Sequence, residues 1–162
     1  MYTKIMAQQR HSPTPGYLVW KLAGTWRLAA DRALAPHGLT HAQYVVLSTL
    51  YGMHSGAIGA ERHPSQRQLA DHAGLEALYL SRLVRSLETA GLVERNRDER
   101  DTRTVRLTLT ERGREIAQPA MAAIKDLADM LLAPIGGPDS DRSRVFVNDL
   151  RTLLNSQLPA PR

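Results

Sequence analysis

Residues 65–113, SQRQLADHAGLEALYLSRLVRSLETAGLVERNRDERDTRTVRLTLTERG, decide the fold. Ser65 followed three residues later by Gln68 is a capping box that opens a short helix, and Gly74 is a suitable C-cap for it. A longer helix is expected from about Glu76 to Ala90, with Leu80, Leu83, Val84 and Leu87 on one side and Gly91 as its stop. Strand signals follow at 92–97 and 103–109. In the second, Val105, Leu107 and Leu109 take one face and Arg106 and Thr108 the other. Short helix, glycine turn, longer helix, glycine and hairpin is the order of a winged helix-turn-helix.

The two strands are joined by a knot of charge: nine of the thirteen residues 94–106 are Asp, Glu or Arg. A solvated turn would explain such a run without an arginine bias. A wing tip explains it differently, since an arginine there can enter the minor groove, where negative potential is concentrated. The net charge of +5 and pI of about 10 favour an anionic partner, nucleic acid first. Bulk charge does not carry the argument here, because residues 61–115 hold eleven Lys/Arg against ten Asp/Glu. Individual arginines must carry it. With four leucine and valine positions facing in, the longer helix leaves Ala77, Tyr79, Ser81, Arg82, Arg85 and Ser86 outside or at the margin. Arg82 and Arg85 stand one turn apart with no acid between them, and an arginine can bond two acceptors of one guanine. An ordinary solvated helix face is the bland alternative. The candidate DNA contacts are Ser65 and Gln66 on the short helix, Tyr79, Ser81, Arg82 and Arg85 on the longer one, and Arg97, Arg100 and Arg103 on the wing. Asp101 is a candidate for an ion pair that shapes the hairpin, and either Arg100 or Arg103 for the minor groove.

Outward from this centre the chain is helical. A first helix over about 17–34 carries an apolar stripe of Leu18, Leu22, Trp26, Ala29 and Ala33. Thr40 and Gln43 form another capping box, with Leu39 and Tyr44 placed as a hydrophobic staple, ahead of a helix whose inner face is Val46, Leu47 and Leu50. Thr110 caps a helix over about 111–133, marked by Ile116, Ala120, Ile124 or Ala123, Leu127 and Leu131, and bent at Pro119. The turn PIGGPDSD precedes a last helix over about 141–157 with Phe146, Leu150, Leu153 and Leu154. The fold class is therefore mainly α with a small β-wing of two or three strands. Residues 1–15 read as a flexible arm and 16–162 as one domain, with the winged helix-turn-helix at about 39–110 and dimerisation helices at about 17–34 and 111–157. The stripes on those outer helices are too many for one small lobe to cover, so a homodimer is expected.

The chain has no cysteine, which removes disulfides, thiol catalysis, thiol redox sensing and cysteine-ligated zinc. No nucleophile elbow, phosphate loop or metalloprotease pair is present, so an enzyme is not expected. His37 and His41 are four apart, but Gly38-Leu39 breaks the helix that would align them, and no metal or other cofactor is expected. The polar N-terminus lacks the apolar core of a signal peptide and no stretch approaches the ~20 apolar residues of a membrane span, which points to the cytoplasm.

Three segments together resemble the MarR-type (multiple antibiotic resistance regulator) transcriptional regulators: LAPHGLTHAQYVVLSTL at 34–50, SQRQLADHAGLEALYLSRLVRSLETAGLVER at 65–95 and DERDTRTVRLTLTERG at 98–113. The last contains the Asp-x-Arg wing signature at Asp101 and Arg103 and the ending Leu109, Thr110, Gly113. The resemblance covers roughly residues 17–155. It implies a bacterial or archaeal cytoplasmic regulator, associated with the nucleoid when bound. It also implies an obligate homodimer on a near-palindromic operator, with Ser81 and Arg82 at phosphate- and base-contacting positions and a wing arginine in the minor groove. It further implies a small aromatic or phenolic effector in a cleft between the dimerisation helices and the DNA-binding lobe. Candidates to line that cleft are Tyr17, Trp20, Trp26, His41 and Tyr44, against the plainer reading that these aromatics pack the core or the dimer interface. Two positions depart from the family pattern: Arg85 stands where an acid is common, and the longer helix begins at Leu75-Glu76 without a Ser, Thr or Asp cap. A winged helix that binds protein and never touches DNA is the alternative function.

Overall fold

A computed structural model describes residues 13–59, 63–98 and 105–156. The elements run α1 (Pro15–Leu34), a 3-10 turn (Ala35–His37), α2 (His41–Ser55), α3 (Gln66–Ala73), α4 (Ala77–Thr89), β1 (Val93–Arg97), β2 (Val105–Leu109), α5 (Glu111–Leu132), a second 3-10 turn (Ala133–Ile135) and α6 (Asp141–Asn155). No helix among the described residues is long and apolar enough to cross a membrane.

Local chemistry sets the boundaries. Both expected capping boxes form: Thr40 and Ser65 each accept from the backbone three residues on, while Gln43 and Gln68 reach back to the N-cap amide. Gly74 closes α3 in the left-handed region at φ 64°, where its N–H meets Ala70 and Asp71 carbonyls. Thr110 does two jobs at the start of α5. Its hydroxyl accepts from the Gly113 N–H at 2.9 Å and donates to the Gly91 carbonyl at 2.8 Å, joining the helix to the turn before β1. Helix α5 continues through Pro119.

The core lies between α2, α3, α4, the hairpin and the first half of α5. Leu47, Leu50, Met53, Leu69, Leu80, Val84, Leu87, Val93 and Leu107 are all buried there. The strands pair antiparallel with Val93 opposite Leu109 and Arg95 opposite Leu107. Leu107 and Leu109 face the core as expected, but Val105 on the same face is exposed, because it is the hairpin's outermost described rung. An isolated bridge from Ser65 to Arg106 adds one residue to the two-stranded sheet.

The outer helices depart from their expected stripes. In α1 only Ala30 and Leu34 are buried, whereas Leu18 and Leu22 are exposed. In α5 Ala117 and Ala120 are buried, Ile116 and Ile124 pack at the edge of the core, and Leu131 is exposed. In α6 the one buried residue is Ser143, and Leu150, Leu153 and Leu154 face outward. Helical period locates an apolar face, but no described residue covers these positions.

Candidate DNA interface and effector cleft

Helix α4 is amphipathic in the manner a recognition helix requires. Leu80, Val84 and Leu87 are buried, with Leu83 packed against the same core, and Leu78, Arg82 and Arg85 follow one another at i, i+4 and i+7 on the opposite side. Its first turn holds no acid. Among the described residues no carboxylate pairs with Arg82 or Arg85, so both guanidinium groups are available to an anion. Glu76 occupies the N-cap position without a side-chain cap bond. The preceding helix braces α4, since Leu69 and Leu80 share the core and Leu75 donates its N–H to the Ala70 carbonyl.

Two side-chain clamps hold the wing to this unit. Arg106 Nε donates to Asp98 Oδ2 at 2.6 Å, and its Nη1 donates to the His63 carbonyl at 3.2 Å and to Gln68 Oε1 at 3.3 Å. Arg106 thus ties both strands to the start of α3, and the Leu107 N–H adds a 2.9 Å bond to the Pro64 carbonyl. On the inner face Arg95 Nε lies 3.1 Å from Glu88 Oε2 near the end of α4, a close ion pair in which the N–H is not aligned on the oxygen. Arg97 is exposed at the end of β1. Arg100, Asp101 and Arg103 lie outside the described residues. Ser65 is half-buried with its hydroxyl engaged as the α3 cap, and Gln66 is half-buried with Oε1 lacking a hydrogen-bond partner. Ser81 is half-buried beside Arg82 on α4.

An open-sided cleft of about 480 Å³ lies where α1 meets the start of α2 and α4, lined by Arg27, Asp31, Ala35, Leu39, Thr40, His41, Ala42 and Tyr79. Asp31 Oδ1 accepts the His41 N–H at 2.7 Å, so the N-terminus of α2 already has a carboxylate on it. The His41 ring stacks on Tyr44, with ring centroids 6.4 Å apart and planes 15° apart, and Trp26 meets it edge-on. Burial lowers the His41 pKa below its ordinary value, with Asp31 opposing and Arg27 reinforcing that shift. Burial raises that of the Tyr44 phenol, which a bond with Ser48 partly offsets. Tyr17 and Trp20 meet at a tilt of 36° with centroids 6.0 Å apart on the N-terminal half of α1, where Trp20 is 72% exposed and outside the cleft lining. Tyr79 belongs to both surfaces, because it is on α4 yet forms part of the cleft wall. Arg27 and Asp31 escape a sequence reading that searches for aromatics, and only an acid at the end of α1, ten residues before a helix start, hints at the second.

The family model for the transcriptional regulator SarA/Rot matches residues 32–119. The HTH-type transcriptional regulator YdcH of Bacillus subtilis is 32% identical over 144 residues, covering 89% of this chain and 92% of the relative. The HTH-type transcriptional repressor Rv2887 of Mycobacterium tuberculosis is 32% identical over 123 residues, covering 76% of this chain and 83% of its own. The crystal structure of that MarR family protein with p-aminosalicylic acid superposes with a TM-score of 0.64 at 29% identity, over 88% of this chain and 100% of the other. The M. tuberculosis transcriptional regulator MosR in complex with DNA superposes with a TM-score of 0.66 at 26% identity, over 88% and 96%. Winged helix, outward arginine stripe and these likenesses agree: the chain belongs to the MarR-type family of winged helix-turn-helix transcriptional regulators, which are DNA-binding proteins and not enzymes.

Proposed function

We propose that the chain is a cytoplasmic homodimeric repressor that binds a near-palindromic operator through α4 and the wing and releases it when a small aromatic or phenolic acid occupies the α1–α2–α4 cleft. The observation that carries this reading is the outward stripe of α4, with Arg82 and Arg85 free of carboxylate partners among the described residues. In this reading α4 enters the major groove, Ser81 and Arg82 take phosphate and base edge, Tyr79 and Arg85 flank them, and Ser65 and Gln66 meet the backbone from α3. Arg97, with Arg100 or Arg103, reaches the minor groove beside it. DNA-bound MosR and the p-aminosalicylate complex of Rv2887 support the two halves of the proposal.

The cleft suits an aromatic acid. Arg27 supplies a cation at the wall and His41 an aromatic surface backed by Tyr44, while Asp31 excludes a second carboxylate from the α2 amide it already occupies. Tyr17 and Trp20, exposed on α1, would join such a site only through the second chain or by moving. Tyr79 in the wall links occupancy of the cleft to the position of α4.

Arg82→Ala tests the DNA half. On a duplex selected from a random pool, a base-reading Arg82 should cost ~1–3 kcal/mol on mutation and flatten preference at one position. A phosphate-only Arg82 should weaken all sequences alike and reduce the salt slope by about one unit. Equal binding by variant and wild type at every salt concentration would remove Arg82 from the interface, and failure to select any duplex would favour the protein-binding alternative.

A further inference from the structure

The outward stripe of α4 begins on a leucine. Leu78 is the second residue of the helix and 67% exposed, with Arg82 one turn on and Arg85 two turns on along the same line. Residues opposite a helix's buried face are ordinarily polar, and no described residue covers this side chain. Its neighbours say what arrives there. Two arginines without carboxylate partners among the described residues, one and two turns further along the same face, select an anionic surface. The first turn of a recognition helix is also the part that reaches base edges. On the floor of the major groove the apolar group presented by a base pair is the C5-methyl of thymine.

We propose that Leu78 is a specificity-determining residue that reads a thymine by covering its methyl group, next to the base or phosphate taken by Arg82. This rests on the reading of α4 as the recognition helix. A leucine neither donates nor accepts, so it discriminates by burial alone. Over thymine it removes two apolar groups from water. Over cytosine it would instead cover an amino group and leave that donor unpaired, which is costly. The leucine thus favours thymine over cytosine on one strand where an arginine would favour guanine.

Replacing thymine by deoxyuridine deletes the methyl and leaves the Watson–Crick edge intact. In a duplex selected from a random pool by the wild-type protein, each thymine of one half-site is replaced singly. Wild type should lose about fourfold in affinity at one position, the equivalent of ~0.8 kcal/mol for one buried methyl-sized group. Leu78→Ala should bind the parent duplex more weakly and be indifferent to deoxyuridine at that position. Arg82→Ala should bind more weakly overall yet keep the full deoxyuridine penalty. Leu78 is exposed, so an unchanged melting temperature will confirm that its substitution acts on binding. A wild-type scan with no sensitive thymine, or a Leu78→Ala scan identical to the wild type's, overturns the inference while an Arg82→Ala loss leaves the recognition-helix reading standing. Failure to select any duplex, or normal binding by Arg82→Ala, overturns both.

Discussion

Helices α4 and α6 carry comparable apolar stripes and meet opposite fates. Helix α4 buries Leu80, Val84 and Leu87 within its own chain, whereas Leu153 and Leu154 of α6 are 61% and 83% exposed. Fully burying one such side chain is worth ~1.5–3 kcal/mol, so α6 leaves a substantial driving force unused in the monomer. The exposed positions of α1, Leu18 and Leu22 among them, and Met130 and Leu131 of α5 extend the same deficit. Periodicity announces that a face will be covered. It does not say whether the cover is the same chain, a second copy or DNA.

The largest effect should come from α6. Leu153→Asp with Leu154→Asp costs the isolated chain little, because both side chains already face water. In the dimer we propose, four buried carboxylates would have no partner, and association should fail. Analytical ultracentrifugation should show a folded monomer, and operator affinity should fall by roughly 100-fold or more as two linked half-site contacts become one. A stable dimer with unchanged affinity would erase the contrast between the two helices.

A smaller effect is expected where the chain covers itself. Gly113 in the first turn of α5 is buried, and a Cβ there would collide with the Leu92 carbonyl oxygen and sit 3.3 Å from Leu109 Cδ2. The helix must therefore shift against the residue that leads into β1. Gly113→Ala should destabilise by ~1–3 kcal/mol, the usual range for overpacking, seen as a lower midpoint in urea with the dimer intact below the transition. Indifference to the added methyl would mean that the winged lobe is packed as loosely as the α6 face is covered.

These contrasts also mark what could be read without coordinates. Capping boxes at Thr40 and Ser65, the glycine stop at Gly74 and the Thr110 cap are local chemistry within four residues, and each element begins or ends where they predict. The arginine stripe of α4 is likewise a single-helix property. Interactions between elements were not legible. The Asp98–Arg106 pair depends on hairpin register and on where the α2–α3 connection delivers His63 and Gln68. Asp31 reaches the α2 amide because a 3-10 turn folds α1 back toward α2. Leu78 shares the helical angle of Arg82 and Arg85, so spacing alone puts it on the outer face, but its 67% exposure depends on what the rest of the fold leaves uncovered.

The smallest expected effect lies at the seam between the two regions, in the ring of His41. The ring is half-buried between Trp26 and Tyr44, with Asp31 and Arg27 the charged groups lining the same cleft. Burial, the largest cause, lowers its pKa in the folded protein below the ordinary 6.5, so folding favours the neutral imidazole. The unfolded chain then binds the proton more readily between the two values. Stability from this group is complete above pH 6.5, is lost as the pH falls through the interval, and falls no further once the folded-state pKa is passed. Solvent screening at a partly exposed ring keeps the loss shallow, less than that of Gly113→Ala. The chain holds five other histidines, so the informative quantity is a difference. The drop in melting temperature between pH 7.5 and pH 5.5 should be smaller for His41→Gln than for wild type. Trp26, Tyr44, Asp31 and Arg27 all come from the same chain as His41, so the difference should survive in the monomeric α6 variant. If it vanishes there, the seam is completed by the second copy, and the line between self-covered and partner-covered surface runs through His41 rather than beyond it.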